Sequence, residues 1–146
     1  MTGEFIPLAR DAAARHGLDA DLVCAVIEQE SSWRTYEIRY EQEFFDRYCF
    51  PLFKNPEITS TEARARAFSW GLMQVMGQTA RDFGYAQPLP SLCIPQNGIE
   101  IGCKVLAHKV AVNDGNVREA LNAWNGGANP KYAEEVLAKS GKYRNG

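Results

Sequence analysis

Asp19-Ala20-Asp21-Leu22-Val23-Cys24-Ala25-Val26-Ile27-Glu28-Gln29-Glu30-Ser31-Ser32-Trp33 is the stretch on which the reading of this chain turns. Val23, Val26 and Ile27 recur at the spacing of one helix face, and Glu30 falls on that face seven, four and three residues further on. Trp33 extends the stripe. Asp19 is the expected N-cap, and Asp21 lies near the positive end of the helix. A carboxyl group on an apolar face loses water, which penalises its charged form and raises its pKa. An acid that keeps its proton near neutral pH suits the protonation of a poor leaving group. The competing reading is a frayed helix end whose Glu30 turns to solvent, because perturbed acids mark sites only statistically.

The flanking punctuation is helical. Upstream, Phe5, Leu8, Ala9, Ala12 and Ala13 form an amphipathic stripe stopped at Gly17. Downstream, Gln78 to Phe83 reads as a short helix ended by Gly84, and a proline-rich connector runs from Pro88 to Pro95. Ile99, Cys103, Leu106 and Val110 mark the longest helix, stopped by Asn113-Asp114-Gly115. Val117, Leu121 and Trp124 mark the next, ended by Gly126-Gly127. Asn129 as N-cap and Pro130 at the first helical position open the last, with Tyr132, Ala133, Val136 and Leu137 facing inward.

Residues 34–69 differ in texture, being rich in aromatic and acidic side chains, with turns expected at Phe50-Pro51 and Asn55-Pro56. Tyr40, Phe44 and Tyr48 repeat at four-residue spacing and read as a packing stripe. Ser60 or Thr61 is the expected cap of a short helix running to Phe68. Residues 70–76 are apolar apart from Gln74. Repeats, low-complexity runs and βαβ alternation are absent from the sequence. The fold class expected is all-α, with at most a small hairpin or extended segment near residues 50–72.

At 146 residues the chain reads as a single domain, 1–146, able to bury a core without covalent staples. A net charge of −2 without a polybasic run argues against nucleic-acid binding. No stretch approaches the roughly 20 apolar residues of a membrane span. The first residues, Met1 to Pro7, lack the pattern of a secretion signal. That leads to the expectation of a protein held inside a cell until release, or of a leader already removed. Cys24, Cys49, Cys93 and Cys103 show no zinc-type pairing, and Cys24 and Cys103 fall on helical patterns as small core residues. A Cys93–Cys103 disulfide stays open beside four free thiols, which the lack of a signal favours. His16 and His108 are far apart in sequence, and no metal or organic cofactor is expected.

Three blocks stand out together: Ala25-Val26-Ile27-Glu28-Gln29-Glu30-Ser31-Ser32-Trp33, Gly71-Leu72-Met73-Gln74-Val75-Met76 and Ala123-Trp124-Asn125-Gly126-Gly127. In that order and spacing they resemble the soluble lytic transglycosylase domain, glycoside hydrolase family 23, of the lysozyme-like superfamily. The resemblance runs from about Leu18 to Leu137. The chain departs from the family at Trp124, where Tyr is usual, at Gly126, where another small residue is usual, and at Gly77, where Pro is usual. Residues 34–69 form an insertion relative to the common bacterial enzymes, a layout similar to phage and prophage members.

The resemblance implies cleavage of the β-1,4 bond between N-acetylmuramic acid and N-acetylglucosamine in peptidoglycan glycan strands, with Glu30 as the sole catalytic acid/base. It implies that Ser31 orients the bound sugar, that Met73 and Gln74 line the groove, and that Gln74 bonds an acetamido group or holds Glu30. Ser31 has a plainer alternative, a helix-end hydroxyl satisfying a backbone carbonyl. Asn125 matches the family's Asn beside the acid-bearing helix. Tyr132 matches the tyrosine that donates to the catalytic carboxyl or to the reacting acetamido group. No nucleic acid, membrane insertion or further subunit is expected.

Two other function classes stay in view. Inverting muramidases hydrolyse the same bond with a second carboxylate, typically about 6.5–9.5 Å from the acid. Glu41, in the insertion, is the candidate here, with pairing to Arg39 as its ordinary explanation. A non-catalytic wall-binding or virion module keeps the fold and has no use for a desolvated acid.

Overall fold

Short-range signals set the helix ends. In the computed structural model, which describes residues 2–54 and 56–144, Asp19 Oδ1 accepts from the Asp21 amide at 3.0 Å and starts helix α2, Ala20–Ser31. Every residue from Leu22 to Ile27 is buried, so α2 is a central helix rather than a surface one. Helix α1, Ile6–Arg15, lays Ala9, Ala12 and Ala13 against it, and these small side chains permit close approach. Helix α8, Tyr132–Arg144, packs along α2 more extensively than any other element.

A three-stranded antiparallel sheet adjoins this core in the order β1 (Ile38–Tyr40), β2 (Phe68–Trp70), β3 (Val75–Met76). Ile38 pairs with Trp70, Tyr40 with Phe68, and Trp70 in turn with Val75. The turn joining β2 to β3 begins at Gly71, whose φ of 71° and whose contact with the Leu92 carbonyl leave no room for a Cβ. Between β1 and β2, helix α3 (Gln42–Phe44) runs into a π-helical turn (Phe45–Cys49), a 3-10 turn (Phe50–Lys54) and helix α4 (Ser60–Ala65). Phe45, Cys49, Ala63 and Ala67 form a small core of their own there. Helices α5 (Gly77–Asp82), α6 (Pro95–Val112) and α7 (Val117–Asn125) complete the chain ahead of α8.

The chain is thus helical with one small sheet, as expected, although β1 and β3 lie outside residues 50–72, where any extended segment was expected. Two local expectations change. Thr59, not Ser60 or Thr61, caps α4 by accepting from the Glu62 amide, and the helix stops before Phe68, which β1 recruits as a strand partner. Tyr40 lies in a strand and does not share a helix face with Phe44 and Tyr48. The turn expected at Asn55-Pro56 begins outside the described residues. Asn129 Oδ1 accepts from the Lys131 amide at 2.9 Å, but α8 begins three residues on, at Tyr132, so Pro130 lies in the preceding turn and not at the first helical position. All four cysteines are buried free thiols. Among the described residues no helix is long and apolar enough to cross a membrane.

Candidate active site

Glu30 occupies the last turn of α2, where the chain leaves the core through left-handed Ser32 and Trp33. Its carboxyl is half-buried beside the junction of α7 and α8. Oε2 accepts two hydrogen bonds, from the Tyr132 hydroxyl at 2.5 Å and from the Trp124 indole Nε1 at 3.2 Å. Among the described residues no side chain donates to Oε1. Burial pushes the Glu30 carboxyl above the usual carboxylate range, against the opposing pull of Tyr132, Trp124 and the Arg39 charge. Tyr132 is 3% exposed, and burial together with the neighbouring carboxylate raises its hydroxyl as well.

Several hydrogen bonds hold this junction. Asn125 Nδ2 donates to the Asn129 carbonyl at 3.2 Å, and Asn129 Nδ2 donates to Glu135 Oε1 at 3.0 Å. Gln29 Nε2 donates to Glu135 Oε2 at 3.2 Å, and Lys139 donates to Gln29 Oε1 at 2.8 Å. The residue beside the acid is thereby linked through α8 to the turn between Trp124 of α7 and Tyr132 of α8. Tyr132 is placed by the packing of α8 on α2, and Trp124 by the packing of α7 on α8.

The acid opens into a cleft of about 570 Å3. One side presents Gln74 and Val75 from the hairpin, and another presents Val105 and Lys109 from α6 with Trp124 and Asn125 from α7. The remaining wall comes from residues 39–48, including Arg39, Glu41, Phe44 and Tyr48. Among the described residues, no three His, Cys, Asp or Glu side chains come together to hold a metal ion.

The residues expected at the site divide into two groups. Glu30, Gln74 and Asn125 line the cleft, and Tyr132 bonds the acid. Met73 does not line it: the side chain is 0% exposed and packs against Gly102, where an added Cβ would lie 2.4 Å from Sδ. Ser31 is 1% exposed and faces the backbone, its hydroxyl lying 2.8 Å from the Leu72 carbonyl and 3.1 Å from that of Ile27. It ties the acid-bearing helix to the hairpin and takes the plainer of its two expected roles. Gln74 does not hold Glu30, because its Nε2 donates to the Glu37 and Gly71 carbonyls at 2.8 and 2.9 Å. Its φ of 51° is left-handed, an unusual conformation that such bonds maintain. Glu41 does line the cleft, with Oε1 3.0 Å from Arg39 Nε.

Sequence reasoning missed the indole of Trp124 as a donor to the acid, because its place on the Val117–Leu121 stripe reads as core. The available signal was its adjacency to Asn125 in a block already marked for function. Arg39, Phe44 and Tyr48 were also missed as cleft residues, since the fold of the insertion brings them there.

The family model for the Transglycosylase SLT domain matches residues 7–145, and the chain belongs to that family. No solved structure gives a significant match. Membership assigns the chain to the lysozyme-like superfamily and to transglycosylase-type action on peptidoglycan in general.

Proposed function

We propose that the protein cleaves the N-acetylmuramic acid–β-1,4–N-acetylglucosamine bond of peptidoglycan without water, leaving a 1,6-anhydro-muramic end. The observation that carries this reading is the state of Glu30: one desolvated carboxyl, held by two donors on one oxygen, with the other oxygen lacking a side-chain donor among the described residues. With Oε2 accepting both bonds, the acidic proton belongs on Oε1. That proton passes to the glycosidic oxygen as the bond to the anomeric carbon breaks. The muramic acetamido oxygen shields the resulting positive carbon, so the protein supplies no nucleophile. Glu30, now a carboxylate stabilised by charge-assisted bonds from Tyr132 and Trp124, takes the proton of the sugar's 6-hydroxyl. The 6-oxygen closes on the anomeric carbon and Glu30 returns to its starting form.

Opposed influences suit a group that must act both ways. Burial favours the acid needed in the first step, and the two donors keep the carboxylate of the second within reach. Gln74 commits its amide nitrogen to the backbone, which leaves Oε1 as the atom to receive an acetamido N–H. Delivery to the wall by phage-mediated release, or as part of a virion, fits the inserted layout.

Hydrolysis of the same bond with inversion is the second reading, favoured by Glu41 lining the same cleft. Its contact with Arg39 suits a charge partner better than a base for water. Mass spectrometry of digested peptidoglycan tests both: anhydro-muramic ends are expected, and reducing ends carrying oxygen-18 from labelled water would replace the first reading with the second. Glu30→Gln is expected to lower turnover by about two to four orders of magnitude while the protein still folds and binds saccharide. Wall clearance unchanged in that variant would refute catalysis by Glu30.

A further inference from the structure

We propose that Phe44 and Tyr48 form an aromatic platform that binds a pyranose ring of the glycan strand, adding a saccharide subsite to the cleft. The proposal rests on the saccharide reading of the cleft. The two rings lie 4.9 Å apart at an interplanar angle of 40°, and both line the cleft that contains Glu30. Tyr48 is 55% exposed, so its ring face is open to a ligand in the cleft. Phe44 rests partly on the core of the insertion, whereas Tyr48 is exposed beside it. Tyr40, the third member of the sequence stripe, turns away into β1 and stacks on Phe45 and Phe68 at 6.1 and 5.0 Å.

The backbone fixes the pair toward the cleft. Phe45 and Cys49, the residues next along from Phe44 and Tyr48, are buried in the insertion's own core with Ala63 and Ala67. Alternate faces of one turn are thus committed, one inward and one to the cleft. The turn from Phe45 to Cys49 is π-helical, a form concentrated at functional sites. An aromatic face with a wet polar tip matches a ligand that is itself two-sided. A β-linked N-acetylhexosamine is such a ligand, because its equatorial substituents leave C–H bonds on both ring faces and hydroxyls at the rim. Arg47, on the same turn and also lining the cleft, supplies donors for that rim.

The test is calorimetric binding of an N-acetylglucosamine hexamer to the Glu30→Gln protein, which binds without turnover, compared with the same protein carrying Tyr48→Ala or Tyr48→Phe. Tyr48→Ala is expected to raise Kd by about tenfold, as loss of one aromatic stacking partner implies. Tyr48→Phe is expected to keep the parent Kd, and both variants should melt with the parent. Equal affinity in the Ala variant overturns the platform, as does an equal loss in Ala and Phe variants, which would assign the effect to the hydroxyl. A parent that binds no hexamer overturns it too. Peptidoglycan digestion by the unsubstituted protein separates the two readings. Anhydro products alongside an unaffected Tyr48→Ala Kd sink the platform alone, and absence of any cleavage with a weakened Tyr48→Ala Kd sinks the catalytic reading alone.

Discussion

Glu30 Oε2 receives both the Tyr132 and the Trp124 bonds, so each donor can be removed to move the acid in a known direction. Tyr132→Phe deletes a bond to the charged form and raises the Glu30 pKa further. The alkaline limb of the pH–rate profile should move to higher pH, while turnover falls by about one to two orders of magnitude, as loss of a charged hydrogen bond implies. Trp124→Phe should shift the limb the same way by a smaller step, and a shift to lower pH in either would contradict the assignment. Stability carries the opposite sign. Because the folded pKa is raised, the native state binds more protons than the unfolded chain, and stability falls as pH rises from the unfolded value through the folded one. Glu30→Gln removes this loss, so its Tm should exceed that of the parent at neutral pH, and the gap should close on acidification. At this scale Glu30 and Tyr132 were legible because periodicity and motif identify an acid and its donor. The directions of the Ser31 and Met73 side chains, toward backbone carbonyls and the core, were not legible, because adjacency in a motif carries no information about side-chain direction.

Helices declare their ends in sequence, and Asp19 caps as its chemistry indicates, whereas Asn129 bonds within the turn ahead of α8. The strands did not, since a segment of three residues such as Phe68–Trp70 has too short a period to read and is defined by its partners. Packing between elements gives two further tests. A methyl group at Gly102 would meet Met73 Sδ at 2.4 Å and its Cβ at 2.8 Å, so Gly102→Ala should destabilise the α6–hairpin contact by about 1–3 kcal/mol in denaturant unfolding. Glu62 on α4 binds Arg66 at 2.7 Å and Arg81 of α5 at 2.9 Å, and these bonds, with the Arg81 pair foremost, hold its carboxyl below the usual range. Its contribution is therefore present above the unfolded pKa and lost as pH falls through the folded one. Glu62→Gln should cost about 1–3 kcal/mol near neutral pH, with the difference from the parent disappearing in acid.

The whole molecule joins a helical core legible from periodicity to an insertion legible only as a change of texture. That segment became one wall of the cleft through long-range pairing of β1 with β2, which no local signal announces. The thiols follow the core. Burial pushes Cys24 to about 11 and Cys103 to about 12, so a thiol-specific disulfide reagent should label the native protein slowly and all four cysteines once it is unfolded in guanidinium. Rapid labelling under native conditions would contradict the packing. The carboxyl and the phenol that steadies it are 102 positions apart. During translation the first emerges long before the second, so a nascent chain, or one cut short ahead of Tyr132, holds a glutamate without its companion.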